Sequence, residues 1–142
     1  MIERLVYGLL LIASGSMPSK PVEELVVRGS AAQPAIERIL NADNLEVDRL
    51  SPREVADTMA EISRGRAPAD FWTSDQKHVR AWQDYANARD AARVVTSATD
   101  IDHRPDGLAI ADARKRINTT FDEVEAVARR YHARMPASST RF

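Results

Sequence analysis

The best candidate for chemistry is the stretch Asp100-Ile101-Asp102-His103-Arg104-Pro105-Asp106-Gly107. The carboxylates of Asp100, Asp102 and Asp106, with the His103 imidazole, could hold a hard cation through oxygen ligands or exchange protons in an acid–base step. The spacing departs from the EF-hand template, because Arg104 stands at a ligand position and Gly107 falls where that template places no turn glycine. Aspartates at a helix end followed by a Pro-Asp-Gly turn explain the same residues without a ligand, and that reading is preferred. His78 and His132 each lack a second histidine or a cysteine at metal-ligand spacing. The chain has no cysteine, which excludes disulfides, thiolate metal sites and a thiol nucleophile. Its five glycines are scattered rather than gathered into a phosphate loop, and no serine sits in a nucleophile-elbow context. No cofactor is expected, and a non-enzymatic role is favoured over an enzymatic one.

Two dense basic clusters come next, Arg114-Lys115-Arg116 and Arg129-Arg130-Tyr131-His132-Ala133-Arg134. Aligned cations of this kind could contact phosphates. Asp112, Asp122, Glu123 and Glu125 lie among them, so a solvated, charge-balanced helix face accounts for both clusters and is preferred. The aromatic pair Phe71-Trp72, with Trp82 nearby, either anchors a core or forms a partner surface.

Leu50-Ser51-Pro52-Arg53-Glu54-Val55-Ala56-Asp57 is similar to the first helix of helix-turn-helix modules in excisionase-like and MerR-like regulators. That resemblance implies DNA binding, with Arg53 joining Arg114, Lys115, Arg116, Arg129, Arg130 and Arg134 as phosphate contacts. The motif needs a second helix after a turn of three or four residues. Here the next helix start is expected at Thr73 or Ser74, beyond Pro68, and a capped bundle helix explains the stretch equally.

The elements that would carry these residues are almost all helical. At 142 residues the chain suits one domain able to bury a core, and its net charge of -1 gives no global field to gather nucleic acid or anionic membrane. Pro21 opens a short helix through Val27, and Pro34 opens a second carrying Ile36, Ile39 and Leu40, ended by Asn41 or Asn44. Ser51, Pro52 and Glu54 form a capping box, after which Val55, Met59 and Ile62 repeat at helical spacing until Gly65. A long helix runs to about Thr96, with Val79, Trp82, Ala86 and Val95 near one stripe. Residues 97–107 read as loop. A further helix with Leu108, Ile110 and Ile117 breaks at Asn118-Thr119-Thr120, where Thr120 and Glu123 cap the last helix with its stripe of Phe121, Val124, Tyr131 and Met135. The expected fold is all-α, a bundle of about five to six helices with a short apolar helix at the N-terminus.

That N-terminal run, Leu5 to Ala13, is the only continuous apolar stretch and is far shorter than the roughly 20 residues that cross a bilayer. Three readings of residues 1–16 are open: a docked helix covered by protein, an appended segment ending at Gly15-Ser16-Met17, or a signal or membrane anchor acting through residues 5–13. The docked helix is preferred. Residues 17–136 then form the helical domain and 137–142 a polar tail. The sequence expectation is a cytoplasmic adaptor or structural subunit of a larger assembly, such as a phage particle. It would associate with itself or another protein through Leu5, Leu9, Ile12, Phe71 and Trp72. Secretion or anchoring by residues 1–15 is the alternative location, and DNA regulation the alternative function.

Overall fold

The structure is a computed structural model that describes residues 22–97 and 106–137, with side chains described over 31–94 and 107–137. Among the described residues there are four helices and no strand: α1 Val22–Ala42, α2 Pro52–Ala60, α3 Ala69–Ser97 and α4 Asp106–Arg130. The all-α expectation holds, and the count is four because two expected breaks are absent.

The first is at Pro34, which lies inside α1 instead of opening a new helix. Proline removes one backbone donor and crowds the preceding turn. Beyond it, Ile36, Ile39 and Leu40 are buried, so tertiary burial holds the C-terminal half of α1 helical. The second is at Asn118-Thr119-Thr120. There the hydroxyls turn back onto their own helix: Thr119 Oγ1 donates to the Lys115 carbonyl at 3.1 Å, and Thr120 Oγ1 donates to the Arg116 carbonyl at 2.8 Å. Threonine can satisfy itself this way mid-helix, so the expected Thr120 cap does not form and α4 runs straight through.

The Ser51 capping box is present in full: the Glu54 N–H donates to Ser51 Oγ at 3.3 Å and the Ser51 N–H donates to Glu54 Oε2 at 2.7 Å. α2 ends at Ala60, before the expected stop at Gly65, which instead takes a left-handed φ of 55° in the following loop. α3 begins at Ala69, earlier than Thr73, and so takes Phe71 and Trp72 into the helix.

α3 and α4 pair antiparallel. Arg130 reaches Asp70 at 3.3 Å, Lys77 reaches Glu123 at 3.3 Å, and Arg116 reaches Asp84 at 3.5 Å, all in one register. α2 and α1 pack against this hairpin at different levels and bury two separate apolar clusters. Cluster one joins Val55, Ala56 and Met59 of α2 to Val79, Trp82 and Tyr85 of α3 and Ala113 and Ile117 of α4. Cluster two joins Ile36, Ile39 and Leu40 of α1 to Phe71 of α3, Val124 and Ala128 of α4, and Ala133 beyond it.

Ala133 arrives there through a Schellman turn. Its N–H donates to the Ala128 carbonyl at 3.1 Å, and the His132 N–H donates to the Arg129 carbonyl at 3.0 Å. His132 occupies the left-handed position, φ 56°, usually given to glycine. Among the described residues no helix is long and apolar enough to cross a membrane.

Candidate functional site

Between the two clusters, the buried face of the hairpin changes from apolar to polar. On α3 the sequence passes from Phe71 of cluster two through Ser74, Asp75 and His78, all buried, before Val79 and Trp82 of cluster one. On α4, Ile117 of cluster one is followed by Asn118 and Thr120, and then by Phe121 and Val124. Asp43, one residue past the end of α1, completes the layer by a side-chain hydrogen bond to Asp75.

Asp75 is 1% exposed and is the largest fully buried polar side chain. Two carboxyl groups in hydrogen-bond contact can share a site only if one carries a proton, since two anions at that separation repel and neither is well hydrated. Burial, and then the neighbouring carboxyl, push Asp43 up to about 9. Burial also raises Asp75, while the bonds it accepts from Asp43 and Gln76 oppose that rise. Asp43 is therefore the protonated donor and Asp75 the acceptor. Asp75 Oδ1 and Ser74 Oγ are buried without a hydrogen-bond partner.

His78 sits one helical turn beyond Asp75. Its Nδ1 lies 2.9 Å from Thr120 Oγ1, and its ring stands edge-to-face with Phe121, centroids 5.6 Å apart. Thr120 Oγ1 already gives its proton to α4 carbonyls, so the contact is satisfied when Nδ1 carries the hydrogen and donates. Burial holds the imidazole neutral, lowering it to about 4. The layer is thus neutral or singly negative at pH 7, and almost closed to solvent. A cavity of about 20 Å³ lined by Leu40, Asp43, Asn44, Phe121, Val124, Met135 and Pro136 adjoins it, enough for one water.

The residues singled out by sequence fall elsewhere. Asp100, Asp102 and His103 lie outside the described residues, and Asp106 is the first residue of α4. Among the described residues no group of three or more histidines, aspartates or glutamates is arranged to hold a metal ion. Leu5, Leu9 and Ile12, and the Gly15-Ser16-Met17 junction, also lie outside the described residues. Phe71 is wholly buried in cluster two, where it anchors the core, and Trp72 packs half-buried against that cluster. The position of Phe71 on the inner face of α3 is the cause.

The basic residues are dispersed and mostly engaged. Arg53 bridges α2 to α3, donating to Asp90 at 2.8 Å and Asn87 at 2.7 Å. Arg116 pairs with Asp84, Arg129 with Glu125 and Arg130 with Asp70. Arg114 and Lys115 are exposed on α4, about 22 Å along the helix from Arg129 at the usual rise per residue. The Arg134 N–H donates to Glu37 at 2.9 Å. Residues 61–68 separate α2 from α3, so the short turn of a helix-turn-helix is not formed.

The polar layer is not legible in the sequence because Asp43 and Asp75 are distant in the chain and Asp43 follows a helix for which the sequence offers either Asn41 or Asn44 as the end. The one signal available was the Ser-Asp-x-x-His spacing of Ser74, Asp75 and His78, which puts three polar groups on the stripe that also holds Phe71, Val79 and Trp82. The fold class these observations define is an antiparallel helix hairpin with two flanking helices. Compared with protein-family models, curated proteins and solved structures, the chain matches none.

Proposed function

We propose that this chain is a non-enzymatic assembly or adaptor subunit that works by binding protein, including copies of itself. One observation supports the reading above others. Among the described residues, the exposed large hydrophobic side chains are Val94 and Leu108, at 70% and 75% exposure. The register set by the Asp84–Arg116 and Lys77–Glu123 pairs carries Leu108 opposite Ala92, so both apolar side chains sit at the same end of the α3–α4 hairpin. Elsewhere the described surface bears ion pairs across α2–α3 and α3–α4. Two exposed apolar side chains at one end of a charge-balanced body support a contact surface there, since exposed apolar groups gain by being covered while paired charges gain little.

Light scattering over a concentration series tests the proposal. The full chain is expected to associate, and Val94→Ser with Leu108→Ser is expected to reduce association without lowering the melting temperature. A monomer at every concentration, unaltered by deleting residues 1–16, would overturn it.

A further inference from the structure

We infer that the outer seam of the α3–α4 hairpin is a docking face for a second copy of the chain, the two hairpins pointing the same way about a two-fold axis that runs along the seam. The inference rests on the reading that the chain binds copies of itself, and it names the surface that does so. Three ion pairs cross the seam: Asp70 to Arg130 at 3.3 Å, Lys77 to Glu123 at 3.3 Å and Asp84 to Arg116 at 3.5 Å. On both helices successive rungs stand seven residues apart, which is close to two turns, so the three charges of each helix share one face. That face is turned away from α1 and α2, since neither apolar cluster contains any of the six residues.

The sign of the charge alternates from rung to rung. α3 is negative at Asp70, positive at Lys77 and negative at Asp84, and α4 carries the reverse at Arg130, Glu123 and Arg116. Turning a second copy by half a turn about the seam exchanges its two columns. Every charge then meets its opposite at its own level: Asp70 the copy's Arg130, Lys77 the copy's Glu123 and Asp84 the copy's Arg116. Sliding the copy by one rung sets like charges together, and so does an antiparallel copy centred on the middle rung. Complementarity therefore fixes both the direction and the register of the pair. The same alignment brings the Val94 and Leu108 ends of both copies to one end of the dimer.

The rungs have capacity for a second partner. Each of the six side chains is between 44% and 64% exposed despite its pair, and a carboxylate, ammonium or guanidinium can hold more than one partner at once. Between the first two rungs Thr73, Ser74, Ala126 and Val127 line a hollow of about 450 Å³, so nothing bulky there holds a second copy off. Arg80, exposed between the second and third rungs, falls at the level of the copy's uncharged Thr119. One exposed ion pair contributes little, but three rungs repeated across a two-fold axis join into a network, which is the case where exposed charges do contribute.

Sedimentation velocity on the full chain, over a concentration series at low salt, tests this. The wild-type chain is expected to dimerise, and less strongly as salt is added. Lys77→Glu gathers only carboxylates at the middle rung of the dimer, and Glu123→Lys gathers only ammonium groups. Each variant alone is expected to dimerise about tenfold more weakly, with a melting temperature close to that of the wild-type chain because the rung is exposed. An equimolar mixture of the two variants is expected to recover the wild-type affinity, since opposite signs then face each other across the interface. Undiminished dimerisation of either variant, or no recovery on mixing the folded variants, would overturn the seam and leave association through the Val94 and Leu108 end standing. A wild-type chain that stays monomeric at every concentration would overturn self-association itself, and the seam with it.

Discussion

Cluster one and cluster two share the same hairpin but are closed by opposite means. α2, which closes cluster one, is a nine-residue helix whose start is specified from within, Ser51 and Glu54 capping each other and Pro52 presetting the first turn, and Arg53 then fastens it to Asp90 of α3. Cluster two is closed by groups distant in the chain. α1 brings Ile36, Ile39 and Leu40, and Ala133 returns after α4, with Glu37 accepting from the Arg134 N–H. A proline inside α1 and a histidine in a left-handed turn after α4 are tolerated there. Local grammar can make a short helix reliable, whereas a helix carrying a local defect must be held by burial and by long-range polar links. The polar layer lies between the two arrangements, and its Asp43–Asp75 bond belongs to the second.

Three substitutions sharpen or break this contrast. The largest effect is expected at Phe71, wholly buried among α1, α3 and α4. Phe71→Ala is expected to lose about 3–5 kcal/mol in denaturant unfolding. A loss below about 1 kcal/mol, the size of an ordinary surface or minor change, would show that cluster two adds little to the folded state.

Next is His78, which belongs to neither cluster. Because its neutral form is favoured by burial and stabilises fully above about 6.5, declining toward about 4, the stability difference between the wild-type chain and His78→Gln is expected to change with pH over that window. The wild-type chain loses up to about 3 kcal/mol relative to the variant on going from the upper to the lower pH, one proton being linked. Parallel stability curves for the two proteins would show that the ring is not held neutral.

The smallest effect is expected at the cap of α2. Ser51→Ala is expected to cost about 1 kcal/mol and to speed exchange in residues 52–60 while leaving 36–42 unchanged. Equal acceleration in both segments would show that the clusters open as one unit.

What was legible in the sequence follows the same division. The α2 start could be read from Ser51-Pro52-Arg53-Glu54 because capping is a contact between neighbours in the chain. The all-α class followed from periodicity. By contrast, Pro34 and Thr120 were read as boundaries by local rules that burial and hydroxyl back-bonding override. The end of α4 was missed because its Schellman turn has His132 where glycine would have announced it. Phe71 and Trp72 read from the sequence as either core or surface because their helix begins at Ala69, and only that start sets which way they face. The carboxyl pair depends on the approach of two elements, a distance no spacing along the chain contains.

Gly65 carries one further consequence. Its left-handed backbone excludes most side chains, and a Cβ placed there would sit 3.1 Å from the Arg38 guanidinium, which is itself engaged with the Ser63 carbonyl. Arg38 belongs to α1, while Gly65 lies between α2 and α3. An exposed residue with no side chain, touching neither core, therefore has less freedom to vary than its exposure alone implies. Solvent accessibility and mutational tolerance come apart at this position, and the constraint originates in an element that is not its neighbour in the chain.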